Sequence, residues 1–452
     1  MKHALFFVVW LIYWVALWLT RLEFEQSLTL EGMVTSLSGA WFLLGGLTLY
    51  LAGARLADSR LFVLALATVA ILILLCTPLL LSSDVYLYAM RGRMVGIYGA
   101  NPYRIAPVAF PEDPFYELVF GGWRPMLQPY GPLWTTLSGT IASTGSHAVE
   151  ATLLRYQLFG TAGLLALGTL TLCLPSRTDG ESRTRVLYLL LCNPVLLVEF
   201  VNNAHNDVWM IVFGFAALVA YERDHPALVL PLITVAGLIK YSFFICVPVA
   251  CLLLLRERKI SFRAFVGSLF AAASIAFLCT YPYFYGREFF EGVKEVARYQ
   301  PLYASFPGGM VALAALGHTV AAKLPLLERL LPASPEEALF WGRALFIPLM
   351  LVSVYRARDL GSAFEHTLIL STLLLSAVFL PWYVTWWLPF SAVRHGTSTA
   401  GFWTAVALLA YHLRYATAVA LPLVGGMLLL TLVAVRLFER WQVHQLVRAP
   451  VR

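Results

Sequence analysis

The chain has 452 residues, of which 60% are hydrophobic and only 13% are charged, and its formal net charge is +7. Soluble domains carry about a quarter charged residues, so this composition excludes an ordinary soluble protein and predicts a chain largely covered by lipid. The positive charge is typical of basic cytoplasmic loops that meet anionic lipid headgroups. Because no basic and aromatic nucleic-acid module accompanies it, we expect membrane lipids, and no nucleic acid, as partners.

Apolar segments recur from one end of the chain to the other, which predicts one all-α polytopic membrane unit over residues 1–452. The first run could pass for a signal peptide, but Arg21-Leu-Glu follows it without a small-residue cleavage site, so we expect a retained first helix. The runs long enough to span a bilayer lie at about 4–20, 36–53, 61–82, 152–174, 186–201, 206–221, 227–255, 262–285, 338–355, 364–394 and 397–436.

Basic residues predict the side of the membrane on which each connection lies, because cytoplasmic loops carry an excess of Lys and Arg. They cluster between or after the apolar runs, at Arg55, Arg60, Arg177, Arg183, Arg185, Arg223, Arg256, Arg258, Lys259, Arg356, Arg358, Arg394, Arg436, Arg440, Arg448 and Arg452. All of them lie on one side only if three long runs are hairpins, turning near Lys240, near Pro381 and near His412–Arg414. The prediction is roughly 12–14 spans with both termini in the cytoplasm.

The opposite, extracytoplasmic side then holds the two long loops and the densest polar residues. The first loop, 83–151, is predicted to form short amphipathic helices that lie on the outer bilayer surface or re-enter the bilayer, and the second loop is 286–337. The connection 202–207 and the three hairpin turns lie on the same side. We therefore expect an active site on this face.

Asp84 follows one of the apolar runs, in the stretch Ser-Ser-Asp-Val-Tyr. A carboxylate near the membrane face is costly to bury, which makes it a candidate functional residue. An aspartate before a helix is also an ordinary N-cap. The residues alone leave both interpretations open.

Aromatic residues accompany this carboxylate. Tyr88 and Arg91 follow Asp84 at near-helical spacing, and Tyr130 and Tyr383 lie in the Pro- and aromatic-rich stretches "QPYGPLWT" and "PWYVTWWLPF". Aromatic rings can stack on sugars, but Tyr and Trp also form the interfacial belts of membrane proteins. We take these four residues as candidate substrate contacts, with the belt as the alternative.

The stretch "VNNAHNDVWM" places His205, Asn206 and Asp207 between two predicted membrane helices on the outer side. Three polar residues here could contact a substrate or form a polar connection whose Asn or Asp caps a helix. His and Asp two positions apart are too few ligands to name a metal, so no metal site is predicted.

Lys240 and Arg414 each lie within a long apolar run, where a cation needs an anionic partner, a water-filled cavity or an external turn. A phosphate suits a compact ammonium well. The alternatives are a snorkelling side chain for Lys240 and lipid headgroup binding for Arg414.

Several motifs are missing from the sequence. The six cysteines form no Cys-x-x-Cys pair, which argues against a disulfide framework or a zinc site. A phosphate-binding P-loop, a nucleophile elbow and a zinc-protease helix motif are also absent, so ATP-driven work and these two kinds of hydrolase are not predicted.

Taken in order, the stretches "SSDVYLYAMRGRMVGIYGANPY", "YGPLW", "NNAHNDVWM", "LIKYSF" and "PWYVTWWLPF" resemble the GT-C fold integral-membrane glycosyltransferases. More narrowly, they are similar to bacterial polyprenol-phosphate-mannose-dependent mannosyltransferases. Each motif is short, and the set is specific through its order and its common side of the membrane.

This resemblance implies a bacterial inner-membrane enzyme that moves a sugar, expected to be mannose, from a polyprenyl-monophosphate donor to a glycan, glycolipid or lipid hydroxyl outside the cell. Asp84 would be the general base of an inverting reaction, and Lys240 and Arg414 would stabilise the leaving phosphate. His205 and Asp207 would orient the sugar or support the base. No cofactor is required, and metal dependence is left open.

Three alternatives remain. One lies within the enzyme class and is a transferase for another lipid-linked sugar, such as arabinose, glucose or aminoarabinose. The second is a lipid or sugar transporter or flippase, and the third is a structural subunit of an envelope complex. The polar clusters lie mostly on one predicted face and no internal repeat is evident, which favours an enzyme over a transporter.

Overall fold

The computed structural model describes residues 1–25, 37–175, 182–299, 335–376 and 379–416. Within these segments the regular structure is helical, and no strand occurs. The helices are α1 (Lys2–Glu25), α2 (Leu37–Ala54), α3 (Arg60–Leu75), α4 (Asp84–Gly96), α5 (Pro132–Ser143), α6 (Val149–Cys173), α7 (Arg183–Leu191), α8 (Pro194–Leu197), α9 (Asp207–Glu222), α10 (Val229–Ile239), α11 (Cys246–Arg256), α12 (Phe262–Thr280), α13 (Glu291–Tyr299), α14 (Pro335–Arg356), α15 (Leu360–Leu374) and α16 (Leu388–Ala416).

Three helical stretches in the described segments are long and apolar enough to cross a membrane, namely Lys2–Arg21, Val149–Cys173 and Phe262–Tyr283. The pair Arg183–Leu191 and Pro194–Asn202 adds a fourth if it is one span bent by 50°. Several other apolar helices are only 10–17 residues long. The larger number of spans suggested by the apolar runs stays a prediction.

Two lysine–aspartate pairs mark opposite ends of α9, α10 and α11. Lys240, directly after α10, has its Nζ 2.8 Å from Oδ1 of Asp207, the first residue of α9. Lys259, beyond α11, has its Nζ 3.0 Å from Oδ1 of Asp224, beyond the other end of α9. The three helices therefore run alternately up and down, and the hairpin predicted near Lys240 is confirmed. We call these positions the Lys240 end and the Lys259 end.

The second predicted hairpin, near Pro381, is also confirmed. Ser391, in the first turn of α16, donates a hydrogen bond to Glu365 near the start of α15. Between the two helices, Trp386 donates its indole N–H to Asp207 at the Lys240 end. Helices α15 and α16 therefore reach the Lys240 end and return.

The third predicted turn, near His412–Arg414, lies at the edge of the described residues. Helix α16 is helical through Ala416 and the residues beyond 416 lie outside the described ones, so this turn stays a prediction. Within α16 the helix breaks at Gly396, between the apolar runs 364–394 and 397–436, where φ is 68° and ψ is −149°. This left-handed φ is strained for a residue with a Cβ and readily adopted by glycine.

Basic connections meet at the Lys259 end. Arg256 donates to the carbonyl oxygens of Val354 at 2.7 Å and Ala357 at 2.8 Å, which joins the end of α11 to the end of α14. Arg223 donates to the carbonyl oxygen of Cys173 at 2.6 Å. These basic residues therefore share an end away from the candidate site, as the charge pattern predicts, and the assignment of that end to the cytoplasm stays a prediction.

The first long loop contains α4 and α5, which pack against each other at very close range. A Cβ built on Gly92 would lie 2.4 Å from the carbonyl oxygen of Ser138, and one on Gly96 would lie 2.3 Å from that of Gly139. Helix α4 is buried within the protein along most of its length, and its position relative to the bilayer stays a prediction. Its glycines allow the backbone to enter the bundle. The second loop, 286–337, lies outside the described residues from 300 to 334.

Candidate active site

Asp84 is the first residue of α4 and is half-buried. In the segments that the structure describes, its carboxylate has no hydrogen-bond or ion-pair partner, and only its backbone N–H is engaged, 3.3 Å from Ser82 Oγ. Ser83 precedes the helix, and its side chain makes no capping bond. The capping interpretation therefore fails, and the Asp84 carboxylate is available to a ligand or a proton.

The segment that leads to Asp84 is not helical, although its apolar run extends to residue 82. Helix α3 ends at Leu75, and the side chain of Asn202 forms hydrogen bonds with backbone groups of the residues that follow. Its Nδ2 donates to the Thr77 carbonyl at 2.8 Å, and its Oδ1 accepts from the Leu80 N–H at 2.8 Å. The buried Asn202 amide thus satisfies peptide groups that a longer helix would have satisfied. It also connects the segment before Asp84 to the stretch that contains His205.

Tyr88 connects α4 to that motif. Its hydroxyl lies 3.4 Å from Nδ1 of His205 and donates to Oδ1 of Asn206 at 3.4 Å. The rings of Tyr88 and Tyr130 meet edge to face, with their centroids 5.3 Å apart. Because Asp84 lies one helical turn before Tyr88, the structure brings these five sequence-predicted residues to one end of the bundle.

His205, Asp207 and Lys240 form a buried chain of ionisable groups. Nδ1 of His205 lies 3.7 Å from Oδ2 of Asp207, whose Oδ1 lies 2.8 Å from Nζ of Lys240. The His205 and Asp207 side chains are fully buried, and that of Lys240 is 16% exposed. Burying a charge is costly unless it is paired, so each carboxylate or ammonium here requires its neighbour.

Aromatic rings surround the ammonium of Lys240. Its Nζ lies 5.9 Å from the ring centroid of Tyr130, 5.4 Å from that of Tyr383 and 5.1 Å from that of Trp386. These distances are within the range of cation–π attraction. The structure therefore places Tyr383 in the same cluster, and it shows Lys240 paired with Asp207 instead of standing as an isolated cation.

Arg91 lies beside the cluster but faces a loop. Its guanidinium donates to Oε1 of Gln128 at 3.1 Å and to the carbonyl oxygen of Met126 at 3.0 Å. The side chain is fully buried, and burial lowers the pKa of Arg91 to about 10. Its contacts hold the loop that carries Tyr130, and its direct contact with a substrate stays a prediction.

Tyr130 is held from its other side by Gly131. The Gly131 N–H donates to the carbonyl oxygen of Ile239 at 3.0 Å, and a Cβ at this position would lie 2.0 Å from the carbonyl oxygen of Leu238. Burial raises the pKa of Tyr130 well above its usual value, and the negative charge of Asp84 adds to the increase. The phenol therefore stays protonated and lies within electrostatic reach of the carboxylate.

Three residues of this cluster, Glu199, Trp386 and Tyr411, were not predicted from the sequence. Glu199 and Tyr411 bond to each other next to His205, and Trp386 bonds to Asp207. Glu199 left a signal in the sequence, because a carboxylate inside an apolar run is a functional candidate by default. The side chain of Arg414 lies outside the described residues.

Among the residues with described positions, no three acidic, histidine or cysteine side chains form a group that could hold a metal ion.

Comparisons with known proteins identify the family. A family model described as the alpha-(1->6)-mannopyranosyltransferase N-terminal domain, that of the MptA/B family, matches residues 9–256, more than half of the chain. The chain belongs to this family. The matched region contains Asp84, Tyr130 and Lys240, whereas Tyr383 and Trp386 follow it.

Three relatives carry similar names. The chain is 33% identical over 202 residues to a probable alpha-(1->6)-mannopyranosyltransferase of Mycolicibacterium smegmatis, covering 43% of the chain and 34% of that relative. It is 29% identical over 211 residues to alpha-(1->6)-mannopyranosyltransferase A of Mycobacterium tuberculosis, covering 44% and 40%. The protein of the same name from Corynebacterium glutamicum is 27% identical over 170 residues, covering 37% and 34%. The matches thus span little more than a third of each relative, and no solved structure matches significantly.

Proposed function

We propose that this MptA/B family protein is a polytopic membrane glycosyltransferase of the GT-C fold that transfers mannose from a polyprenyl-monophosphate donor to an acceptor hydroxyl. The observation that carries the proposal is the half-buried carboxylate of Asp84, which has no partner among the described residues and lies beside a buried cluster that contains an ammonium, a histidine and several aromatic rings. Family membership supports mannose as the sugar.

Asp84 is the general base of the proposed reaction. The acceptor hydroxyl loses its proton to the Asp84 carboxylate while its oxygen bonds to the anomeric carbon of the sugar. The bond from that carbon to the phosphate oxygen breaks, and polyprenyl phosphate leaves with the electron pair. Attack opposite the phosphate inverts the anomeric carbon, as in the base half of an inverting glycosidase. An α-linked product, which the relatives' names imply, then requires a β-linked donor.

Lys240 is the cation that meets the donor phosphate. Its ammonium pairs with Asp207 and is still partly exposed, so a phosphate oxygen can approach it without separating the pair. Charge gathers on the phosphate as the sugar leaves, and a preorganised ammonium stabilises that state more than the ground state. Arg414 is proposed as a second cation on the same phosphate.

The remaining cluster residues bind the sugar. His205, Asn206 and Tyr88 present a ring nitrogen, an amide and a hydroxyl that can pair with sugar hydroxyls. Tyr130 and Tyr383 offer aromatic faces, and Asp207 orients both Lys240 and His205. The proposal requires no organic cofactor, and it places the donor lipid among the helices and the acceptor, a glycan, glycolipid or lipid, on the extracytoplasmic side.

Purified protein in detergent, given polyprenyl-phosphate mannose and a panel of acceptors, tests this function. We expect release of polyprenyl phosphate by the wild type and a loss of about two to four orders of magnitude in kcat for Asp84→Asn, as when a general base is removed. Glu117→Gln, an exposed carboxylate in the same loop, is the matched control and should leave kcat unchanged.

Two outcomes would contradict the proposal in different ways. Full activity of a folded Asp84→Asn protein would exclude the proposed base while leaving the transferase reaction standing. Turnover only with a lipid-linked arabinose, glucose or aminoarabinose would exclude mannose as the sugar. Binding of the donor without turnover of any lipid-linked sugar would exclude transferase activity and favour a transporter.

A further inference from the structure

Glu199 is a fully buried carboxylate that the proposed reaction does not use. It lies in a π-helical turn, Val198–Asn202, which follows α8. Its Oε2 lies 3.2 Å from Nε2 of His205 and accepts from Nδ2 of Asn203 at 3.2 Å. Its Oε1 accepts a hydrogen bond from the hydroxyl of Tyr411. Both oxygens are therefore occupied by protein groups.

We propose that Glu199 is a positioning residue that keeps a proton on Nε2 of His205 and directs the Nδ1 edge of the ring toward Tyr88 and Asp207. Its catalytic consequence rests on the function proposed above, because it acts through His205. Its effect on the imidazole itself can be tested without any activity.

The chemistry of the pair supports this assignment. An ionised carboxylate only accepts hydrogen bonds, so the ring nitrogen that faces it must carry the hydrogen. The partner of one imidazole nitrogen decides which nitrogen is protonated, and it also fixes the ring's orientation. Nε2 lies 3.2 Å from Oε2 of Glu199, a charge contact whose geometry falls short of a hydrogen bond, and the Nδ1 edge faces the site, 3.4 Å from the hydroxyl of Tyr88.

The backbone holds the two residues in this relation. The His205 N–H donates to the Glu199 carbonyl at 2.9 Å, so main chain and side chain both join them. Ala204, directly before His205, has a φ of 53°, which is uncommon for a residue with a Cβ. π-Helical turns frequently occur at functional sites, and a strained residue persists where the surrounding structure enforces it.

Among the described residues, Glu199 is the carboxylate that faces Nε2. The second carboxylate, Asp207, faces Nδ1 at 3.7 Å and is paired with Lys240. The Trp382 ring lies 4.7 Å away, centroid to centroid, and covers the imidazole without offering an acceptor in the ring plane.

Two variants of Glu199 separate the acceptor from the bulk of the side chain. Glu199→Met fills the same space without an acceptor, and we expect kcat to fall about 10- to 100-fold, as when the support of a functional imidazole is removed. Glu199→Gln keeps an amide oxygen that can accept the same proton, so kcat should return to within about threefold of the wild type. Equal impairment of the two variants, or full activity of Glu199→Met, would overturn the proposal.

A double-mutant cycle with His205→Gln tests whether Glu199 acts through the histidine. If it does, Glu199→Met should cost little more once His205 has been replaced. Losses that multiply would show an independent role. Glu365→Met is the matched control, because Glu365 is a buried glutamate whose Oε2 lies 3.4 Å from Nε2 of His395 at the Lys259 end. It should leave kcat unchanged even where it lowers stability.

Nitrogen-15 NMR of histidine-labelled protein gives a readout that does not depend on transfer. The His205 signal, assigned by its loss in His205→Gln, should show hydrogen on Nε2 in the wild type and a tautomer mixture in Glu199→Met. An unchanged signal in Glu199→Met would overturn the positioning role. A wild type that shows the expected signal but transfers no sugar would instead overturn the proposed function.

Discussion

At the Lys240 end, Lys240 and Asp207 lie 2.8 Å apart with side-chain exposures of 16% and 0%, whereas at the Lys259 end Lys259 and Asp224 lie 3.0 Å apart with exposures of 36% and 81%. The two pairs have the same chemistry and nearly the same length. Water screens the second pair, which is therefore expected to contribute little to stability. The first pair holds its charges in a poorly solvated cluster, where each charge depends on its partner.

The same contrast holds for the two glutamate–histidine contacts. Glu365 and His395 belong to a region in which Arg394 also approaches the carboxylate, 3.7 Å from Oε2, and Arg394 in turn lies 3.6 Å from Oδ1 of Asp359. Glu199 has one histidine, a tyrosine and an asparagine around it, and a second carboxylate lies across the imidazole. The Glu365–His395 contact thus belongs to a cluster that joins helices at the Lys259 end, whereas the Glu199–His205 contact belongs to the polar cluster of the candidate site.

The largest expected effect comes from breaking the two lysine pairs. Lys240→Met leaves Asp207 buried without its cation, and we expect a loss of about 3–5 kcal/mol in the free energy of unfolding together with loss of transfer. Lys259→Met removes an exposed pair and should stay within about 0.5 kcal/mol of the wild type. Unfolding of both variants in detergent measures the difference, and equal losses would show that burial does not distinguish the two ends.

A second prediction concerns the backbone that the Lys240 end depends on. Asn202→Ala removes the partners of several peptide groups before Asp84, and we expect a loss of about 2–4 kcal/mol and lower transfer activity. Ser261→Ala removes a helix cap near the Lys259 end and should cost only about 1 kcal/mol without affecting activity. If Asn202→Ala has the same stability and transfer activity as Ser261→Ala, the Asn202 amide does not fix the backbone before Asp84.

The smallest expected effect is a change in stability that has opposite signs for alanine substitutions at two glycines. Gly131→Ala places a Cβ against the Leu238 carbonyl beside Tyr130, and we expect a loss of about 1–3 kcal/mol with weaker donor binding. Gly267→Ala, inside α12, meets no atom within 4 Å and should stabilise the helix by about 1 kcal/mol. Melting temperatures that shift in the same direction for both variants would contradict the close packing behind Tyr130.

Much of the organisation could be predicted because apolar runs and charge clusters are local signals. The hairpins at Lys240 and Pro381 follow from the need to gather the arginines at one end, and the structure has both. The break at Gly396 lies between two of the predicted apolar runs, and the turn near His412–Arg414 stays a prediction. The end of α3 at Leu75 could not be predicted in this way, since it depends on Asn202, more than 120 residues later.

The sequence by itself determined most of the helical stretches and placed Asp84, His205 and Lys240 at one end, because hydrophobic runs and the distribution of Lys and Arg are local signals. Only the tertiary structure decided the partners. Lys240 meets Asp207, Trp386 reaches the same carboxylate, and Tyr411 reaches Glu199 across 212 positions of sequence. A buried charge or amide must find a partner, but any of several residues could satisfy it, and packing selects the one that lies within 3 Å.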